Sequence, residues 1–333
     1  MEPPNRLTFS WWNLHNFAHY DAAQSVLKRR PKQLSHYEAK RDRILNVIQE
    51  FLKGAFPDIF AVCEVTREAA LDLVTRLPSG FDVAVAPAYP DEDDFQVAVF
   101  YRTGVGLTPE FPLLPSETED VTRETRPMVT VHLTLPGHVI RFVACHWTGL
   151  NLDSSRIARS RLADFLRRDT YDFLYPEAPD PKVARHVVVL GDLNEEPMAD
   201  LFKGDLEGRR DRKSSRDTHW RDAGVRRVRL YNLAWRYLGE QAPHGVGRPL
   251  LGGAAGTWYD GEWGWRTLDH VLASGGLLGE HPPYLDEENT RIISIPILQD
   301  KRGLPSPFEP GSSYGVSDHL PIVGQLILPE TAK

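Results

Sequence analysis

The chain has 333 residues, of which 41% are hydrophobic, 26% charged and 10% aromatic, a composition that excludes disordered, collagen-like and coiled-coil proteins. Its length sets a soft prior of about two domains. Its formal charge of −7 argues, taken alone, against a nucleic-acid partner, although local patches rather than net charge decide binding. Two cysteines, Cys63 and Cys145, make neither a disulfide framework nor a closely spaced zinc site, and they read as reduced core thiols. The segment Met1–Arg6 has no apolar h-region, and no run approaches the ~18 apolar residues of a membrane span. A soluble, cytoplasmic protein is expected, with no membrane contact and no protein partner.

Leu7–Asn13 reads as the first strand, an apolar run with aromatic content. Glu38–Lys53 places Ile44, Ile48, Phe51 and Leu52 on one helical face and stops at Gly54 and Pro57. Strands follow at Asp58–Glu64, Phe81–Ala86, Phe95–Tyr101, Pro127–Leu133 and Val139–His146, with a short helix at Glu68–Leu77. Ser154–Arg168 is the next helix, capped at Ser154 or Ser155. Further strands are expected at His186–Leu190, Leu268–Ala273, Ile292–Ile297 and Pro321–Leu328. About ten strands against three or four helices is too strand-rich for a doubly wound sheet and fits two packed sheets with helices outside.

Three irregular stretches read as loop insertions: 15–37, 203–229 and 239–267. The first holds His15, His19, His36 and a basic group (Lys28, Arg29, Arg30, Lys32), and its histidines read as solvated. The second holds ten basic residues against five acidic ones, so positive charge is segregated. It reads first as a solvated face, with Arg209, Arg210 and Arg212 as candidate phosphate-backbone contacts. The third carries Trp258, Trp263 and Trp265, which either pack the loop or stack unpaired bases.

Several strands end in polar residues that a buried strand does not choose for packing. Asn13 ends the first, Glu64 the second, His146 another, and Asp192 and Asn194 follow Val187–Gly191. Asp269 begins a strand, and Asp318 and His319 precede the last. Singly, Asn13, Asp192 or Asn194 reads as an ordinary turn or cap residue. Together they describe a cleft of oxygen ligands with few nitrogens and no thiolates, suited to a hard cation such as Mg²⁺, with Mn²⁺ as a substitute. Histidines beside such carboxylates point to acid–base work on a phosphate ester.

Six blocks in sequence carry a resemblance: Ser10-Trp-Trp-Asn13, Cys63-Glu64-Val65, the His146 strand, Gly191-Asp-Leu-Asn-Glu-Glu-Pro197, Leu268-Asp-His270 and Ser317-Asp-His-Leu-Pro321. In this order they resemble the endonuclease/exonuclease/phosphatase superfamily, the deoxyribonuclease-I-like fold. The resemblance implies an α+β, four-layer αββα sandwich of two mixed, mainly antiparallel sheets. It also implies one domain over 1–333, with a core at about 7–328. Glu64 would be the main Mg²⁺ ligand, with Asn13 and Asp318 close to the metal. His319 would be the general base, oriented by Asp269; His146 and Asn194 would hold the scissile phosphate. Asp192 would position the nucleophile or protonate the leaving oxygen, and water would attack in line.

Departures narrow the expectation. Val65 and Thr66 follow Glu64 where abasic-site endonucleases usually carry a lysine, and His146 stands where they have a tyrosine. Glu195-Glu196-Pro197 and Thr267–His270 differ from the signatures of inositol polyphosphate phosphatases. Secreted members of the family usually bring a signal peptide. The acid that would pair with His146 is not evident, Asp94 being the nearest. No metal ligand is lost, as a dead binding module would show. A nuclease acting on DNA or RNA is expected; the alternative is hydrolysis of a small phosphate ester, nucleotide or phosphoinositide.

Overall fold

Alternation along β1 (Arg6–Phe17) sets the layering. Phe9 packs on Phe142 of the other sheet with ring centroids 6.0 Å apart, while Trp12 turns outward to Phe51 at 6.2 Å. The computed structural model describes residues 5–21, 31–51, 54–87, 95–110, 127–149, 153–216, 221–222, 225–226, 228–239 and 254–330. Lys28, Arg29, Arg30, Asp94, Arg227 and residues 240–253 of the expected third insertion lie outside them.

After β1 come α1 (Leu34–Glu50), β2 (Ile59–Thr66), α2 (Arg67–Thr75), β3 (Phe81–Val85) and β4 (Phe95–Arg102). The middle of the chain forms β5 (Leu107–Pro109), β6 (Val129–Leu135), β7 (His138–His146), α3 (Asp153–Leu174) and β8 (Ala184–Asp192). Short pieces follow: α4 (Asp200–Lys203), β9 (Gly208–Arg209), α5 (Arg212–Arg216), and the β10 (Arg221–Asp222) and β11 (Val225–Arg226) pair. The last elements are β12 (Leu230–Asn232), β13 (Trp258–Asp260), β14 (Gly264–Arg266), β15 (Asp269–Ser274), β16 (Tyr284–Leu285), β17 (Arg291–Ile292) and β18 (Ile322–Ile327).

One sheet has the order β16-β18-β1-β2-β4-β3, with β17 also on β18; the other runs β5-β6-β7-β8-β15-β12-β9. Pairing is parallel at β1·β2, β7·β8 and β9·β12 and antiparallel elsewhere in both sheets. Ile140, Phe142 and Ala144 of β7 and Val188 and Leu190 of β8 point into the core between the sheets. Their alternates Val143, Cys145, Val187 and Val189 face outward and are covered by Leu162, Leu166 and Phe173 of α3. Burying each such leucine is worth ~1.5–3 kcal/mol, so α3 is held by this stripe rather than by its own helix propensity. Helices α1 and α2 join the opposite layer through Ile44, Val47, Ile48, Ala69 and Leu73. The architecture is the expected four-layer αββα sandwich.

Several expectations need correction: the 15–37 and 203–229 insertions are not wholly irregular, since β1 runs to Phe17, α1 starts at Leu34, and β9, α5, β10 and β11 fall within 203–229. Ile292–Ile297 is not a full strand: β17 stops at Ile292, and Pro296, which has no N–H for a ladder, opens a 3₁₀ turn at Pro296–Leu298. Residues 258–266 are not irregular but form the β13–β14 hairpin. Among the described residues no helix is long and apolar enough to cross a membrane.

Candidate active site

The period of two that builds the core also aims the site. His146, Asp192 and Asp269 are register partners on β7, β8 and β15, and each falls on the inward phase of its strand. β7 and β8 approach closely here because position 191 is glycine: a Cβ there would lie 2.6 Å from the Cys145 carbonyl oxygen. Asn13, beside Cys63 on β2, reaches across the sandwich from the other sheet. Its Nδ2 donates to Asp192 Oδ2 at 3.0 Å and to Glu64 Oε1 at 3.1 Å.

Glu64 gets there by breaking the strand pattern. Cys63 faces inward, so Glu64 in a regular strand would face away. A register shift between Val62 and Val65 and a φ of 55° at Glu64 turn its carboxylate into the cleft. A glutamate in the left-handed region is strained, and such strain collects at functional sites. Asn194 has φ 51°, and His15 and Asn16 have φ 48° and 55°. Four of the five non-glycine residues with positive φ among the described residues thus border one cleft.

His319 is the best-held side chain of the cluster. Its Nδ1 lies 2.8 Å from Asp269 Oδ2, and Trp11 Nε1 donates to Asp269 Oδ1 at 2.7 Å. His319 Nε2 and His146 Nε2 lie 3.8 Å and 3.9 Å from Asp192 Oδ2. Burial opposes a charge on His319, but Asp269 and Asp192 outweigh it and lift the imidazole to about 10. Asp192 is pushed up to about 7, first by burial and then by the Asp269 charge, against His319, Asn13 and the Asn194 N–H. Asn194 donates its N–H to Asp192 Oδ1 at 3.0 Å and its Nδ2 to the Trp147 carbonyl at 2.9 Å.

At the other end of the cleft His15 Nδ1 sits 2.7 Å from Asp318 Oδ1, and Trp258 Nε1 donates to Asp318 Oδ2 at 3.4 Å. Although burial opposes it, the bond to His15 and the charges of His319 and His15 hold the Asp318 carboxyl well below the usual range. Asn16 N–H donates to Glu64 Oε2 at 2.8 Å, and Lys40 Nζ donates to the His15 carbonyl at 2.7 Å. Burial brings Lys40 down to about 8 against the pull of Glu64 and Asp318.

All eight core residues expected from sequence, Asn13, Glu64, His146, Asp192, Asn194, Asp269, Asp318 and His319, therefore converge. His15 corrects the reading of a solvated histidine: it is anchored on Asp318. Asn16 and Lys40 were missed: the place of Asn16 just after Asn13 could have flagged it, whereas Lys40 lies on α1 and no sequence signal marked it. Arg209, Arg210 and Arg212 are not brought to the cluster. Arg209 sits level with Tyr231 and Ala273, toward the far end of β15 from Asp269, and it pairs with Glu207. Arg212 bonds Glu287 and the Leu278 carbonyl, and Arg210 lies over Trp235. Of the tryptophans, Trp258 touches the site, Trp265 packs on Tyr259, and Trp263 is 76% exposed at the hairpin.

Asp192, Asp269 and His319 place ligand atoms within 4.8 Å of one another. Asp269, however, is fully buried between Trp11 and His319, which take one oxygen each and make it an orienting group, whereas Glu64 and Asp318, hydrogen-bonded as well, are part exposed to the cleft. Glu64, Asn13 and Asp318 offer a set of oxygen donors around the cleft, and this set fits a hard divalent cation.

Two packed mixed sheets with acids, amides and imidazoles gathered at their strand ends define a hydrolase of phosphoester bonds. The chain belongs to the endonuclease/exonuclease/phosphatase family, whose profile matches residues 10–319. Solved structures share the fold at low identity. A mannosyl-6-phosphatase from Bacteroides thetaiotaomicron is 15% identical with a TM-score of 0.56, covering 97% of this chain and 100% of its own. D. rerio TDP2 complexed with single strand DNA product is 13% identical with a TM-score of 0.56, covering 96% and 98%. The human Nocturnin catalytic domain with bound sulfate is 16% identical with a TM-score of 0.54, covering 96% and 94%. No curated protein matches the sequence significantly.

Proposed function

We propose that this protein is a divalent-metal-dependent nuclease, one domain over about residues 7–328, that hydrolyses phosphodiesters by in-line attack of water. The observation that carries the nucleic-acid reading is the aromatic β13–β14 hairpin. Trp258 lies against Asp318 and His319 at its base, while Trp263 stands exposed farther out. Exposed aromatics beside a phosphate site are what unpaired bases stack on. The likeness to TDP2 with a single strand DNA product supports the same reading.

In this reading Asp269 holds the His319 ring so that Nε2 faces the cleft, and the neutral form of the ring, a minority while Asp269 and Asp192 hold its proton, takes a proton from the attacking water. His146 and Asn194 contact the scissile phosphate and stabilise its developing charge. Asp192, close to neutral, positions the water or protonates the leaving oxygen. Asn13 keeps the two halves in register by bonding Glu64 and Asp192 together. Glu64, Asn13 and Asp318 would hold a Mg²⁺ or Mn²⁺, which would supply positive charge against the phosphate.

Hydrolysis of a small phosphate ester is the second reading, favoured by the likeness to a mannosyl-6-phosphatase. Plasmid, single-stranded DNA and RNA digestion with Mg²⁺, run against phosphate release from sugar phosphates and inositol phosphates, separates them. Cleavage of a nucleic acid is expected; turnover of the soluble esters alone would overturn the nuclease reading.

A further inference from the structure

We propose that the cleft beside His15 and Asn16 is a specificity pocket for an unpaired nucleobase next to the scissile phosphate. The inference rests on the nuclease reading and narrows its substrate to strands or nucleotides whose base is free to leave a stack. The cleft holds about 440 Å³, with Phe17, Tyr37 and Phe308 among its apolar walls and Lys32 and His36 among its polar groups. That volume is at the size of a small-molecule site, which suits one nucleotide and is too small for a duplex.

The pocket is continuous with the catalytic cluster through two of its own lining residues. His15 bonds Asp318, and the N–H of Asn16 bonds Glu64, so whatever fills the cleft lies against the groups that face the phosphate. Its walls are fixed in advance. Phe17 and Tyr37 stack at 5.3 Å and 7°, and the Tyr37 hydroxyl donates to Asp72 at 2.8 Å. On the opposite side Arg43 donates to the carbonyls of Ser312, Tyr314 and Gly315, and its guanidinium lies 5.0 Å from the Phe308 ring. These bonds tie α1 to the segment that carries both Phe308 and Asp318.

The chemistry of this lining selects its occupant. The part-exposed Phe308 ring and the prolines Pro31 and Pro310, backed by the buried Phe17–Tyr37 stack, favour a flat π-system and give a hydroxyl-rich sugar few partners, while the polar groups of His36 and Asn16 match the edge of a base. The ammonium groups of Lys32 and Lys40 add positive charge for an anionic nucleotide. A base reaches such a pocket only when it is unstacked, as at a strand end or in a single strand.

Calorimetric titration of the whole protein in Ca²⁺, to hold off turnover, with adenosine 5′-monophosphate and with ribose 5-phosphate tests this directly. The two differ only in the base. The nucleotide is expected to bind at least ~10-fold more tightly, as aromatic stacking of a base provides. Phe308→Ala should remove most of that preference and Phe308→Trp restore it, while the affinity for ribose 5-phosphate stays put. Equal affinities, no binding of either compound, or a preference untouched by Phe308→Ala would overturn the pocket. Failure of the nuclease reading shows separately, as absence of oligonucleotide cleavage in a protein that still prefers the nucleotide.

Discussion

Replacing Asp269 by asparagine changes one acceptor oxygen into a donor with almost no change of shape. Trp11 Nε1 approaches Oδ1 at 2.7 Å and His319 Nδ1 approaches Oδ2 at 2.8 Å, so the two partners need two acceptors and the amide has one. If the oxygen stays on Trp11, the amide faces His319 Nδ1, which must become the acceptor and send its proton to Nε2. That nitrogen faces Asp192 across 3.8 Å and then cannot take a proton from water. A wrong-tautomer imidazole in a hydrolase costs ~10³–10⁴ in kcat, about 4–5.5 kcal/mol at ~1.36 kcal/mol per decade. If the amide turns the other way, the Trp11 N–H is left without an acceptor in a fully buried site, costing ~1–3 kcal/mol of stability. The assay is kcat on a single-stranded oligonucleotide at saturation, with a thermal melt and a Mg²⁺ titration on the same preparation. Asp269→Asn should lose the rate, stay folded and keep its Mg²⁺ activation constant. A kcat within about threefold of the parent would refute the tautomer argument. Recovery of the rate in excess Mg²⁺ would also refute it, by making Asp269 a metal ligand.

Glu64→Gln removes a charge from the proposed cation site, so its metal activation constant should weaken by more than the ~10–100-fold that outer partners produce; an unchanged constant would place the metal elsewhere. In Gly191→Ala the new Cβ meets the Cys145 carbonyl oxygen at 2.6 Å and Sγ at 2.7 Å. It should cost ~1–3 kcal/mol in urea unfolding and displace Asp192, and a neutral result would refute the close approach of β7 and β8. Burial lowers His270 from 6.5 to about 4, against the Glu195 carbonyl and the Asp269 charge. The unfolded chain therefore binds the extra proton between those values, and stability present above pH 6.5 is lost as the pH falls toward 4. Between pH 7 and 5 the loss from this group is about 2 kcal/mol. His270→Gln should flatten that limb of the unfolding curve; an equally steep limb would assign the acid sensitivity to other groups.

The central residues were legible as polar groups at strand ends, most clearly where strand alternation and chemistry agree. His146, Asp192 and Asp269 sit on the inward phase of strands whose other inward positions are plainly apolar, so a polar residue there stands out. Glu64 was legible as a residue but not as a geometry: its carboxylate enters the cleft only through a bulge and a φ of 55°, neither written in a pattern of period two. His15 went unrecognised for a related reason. It lies in a two-residue left-handed turn held by Lys40 from the following helix, and such a contact depends on how α1 docks. The opposite error befell Arg209, Arg210 and Arg212. They follow the Asp192 block closely in sequence, but the chain crosses to the outer edge of the sheet before it reaches them. The hairpin at 258–266 was read as loop because its strands are three residues long.

In the proposed function Glu64 and His319 together drive metal-dependent cleavage of a phosphodiester in nucleic acid. This function is tested most directly by single-turnover cleavage of an end-labelled single-stranded oligonucleotide by the parent, Glu64→Gln and His319→Ala, each in Mg²⁺ and in EDTA. Cleavage is predicted only for the parent in Mg²⁺, with both variants folded and inert. Cleavage by His319→Ala at the parent rate, or by the parent in EDTA, would contradict the account.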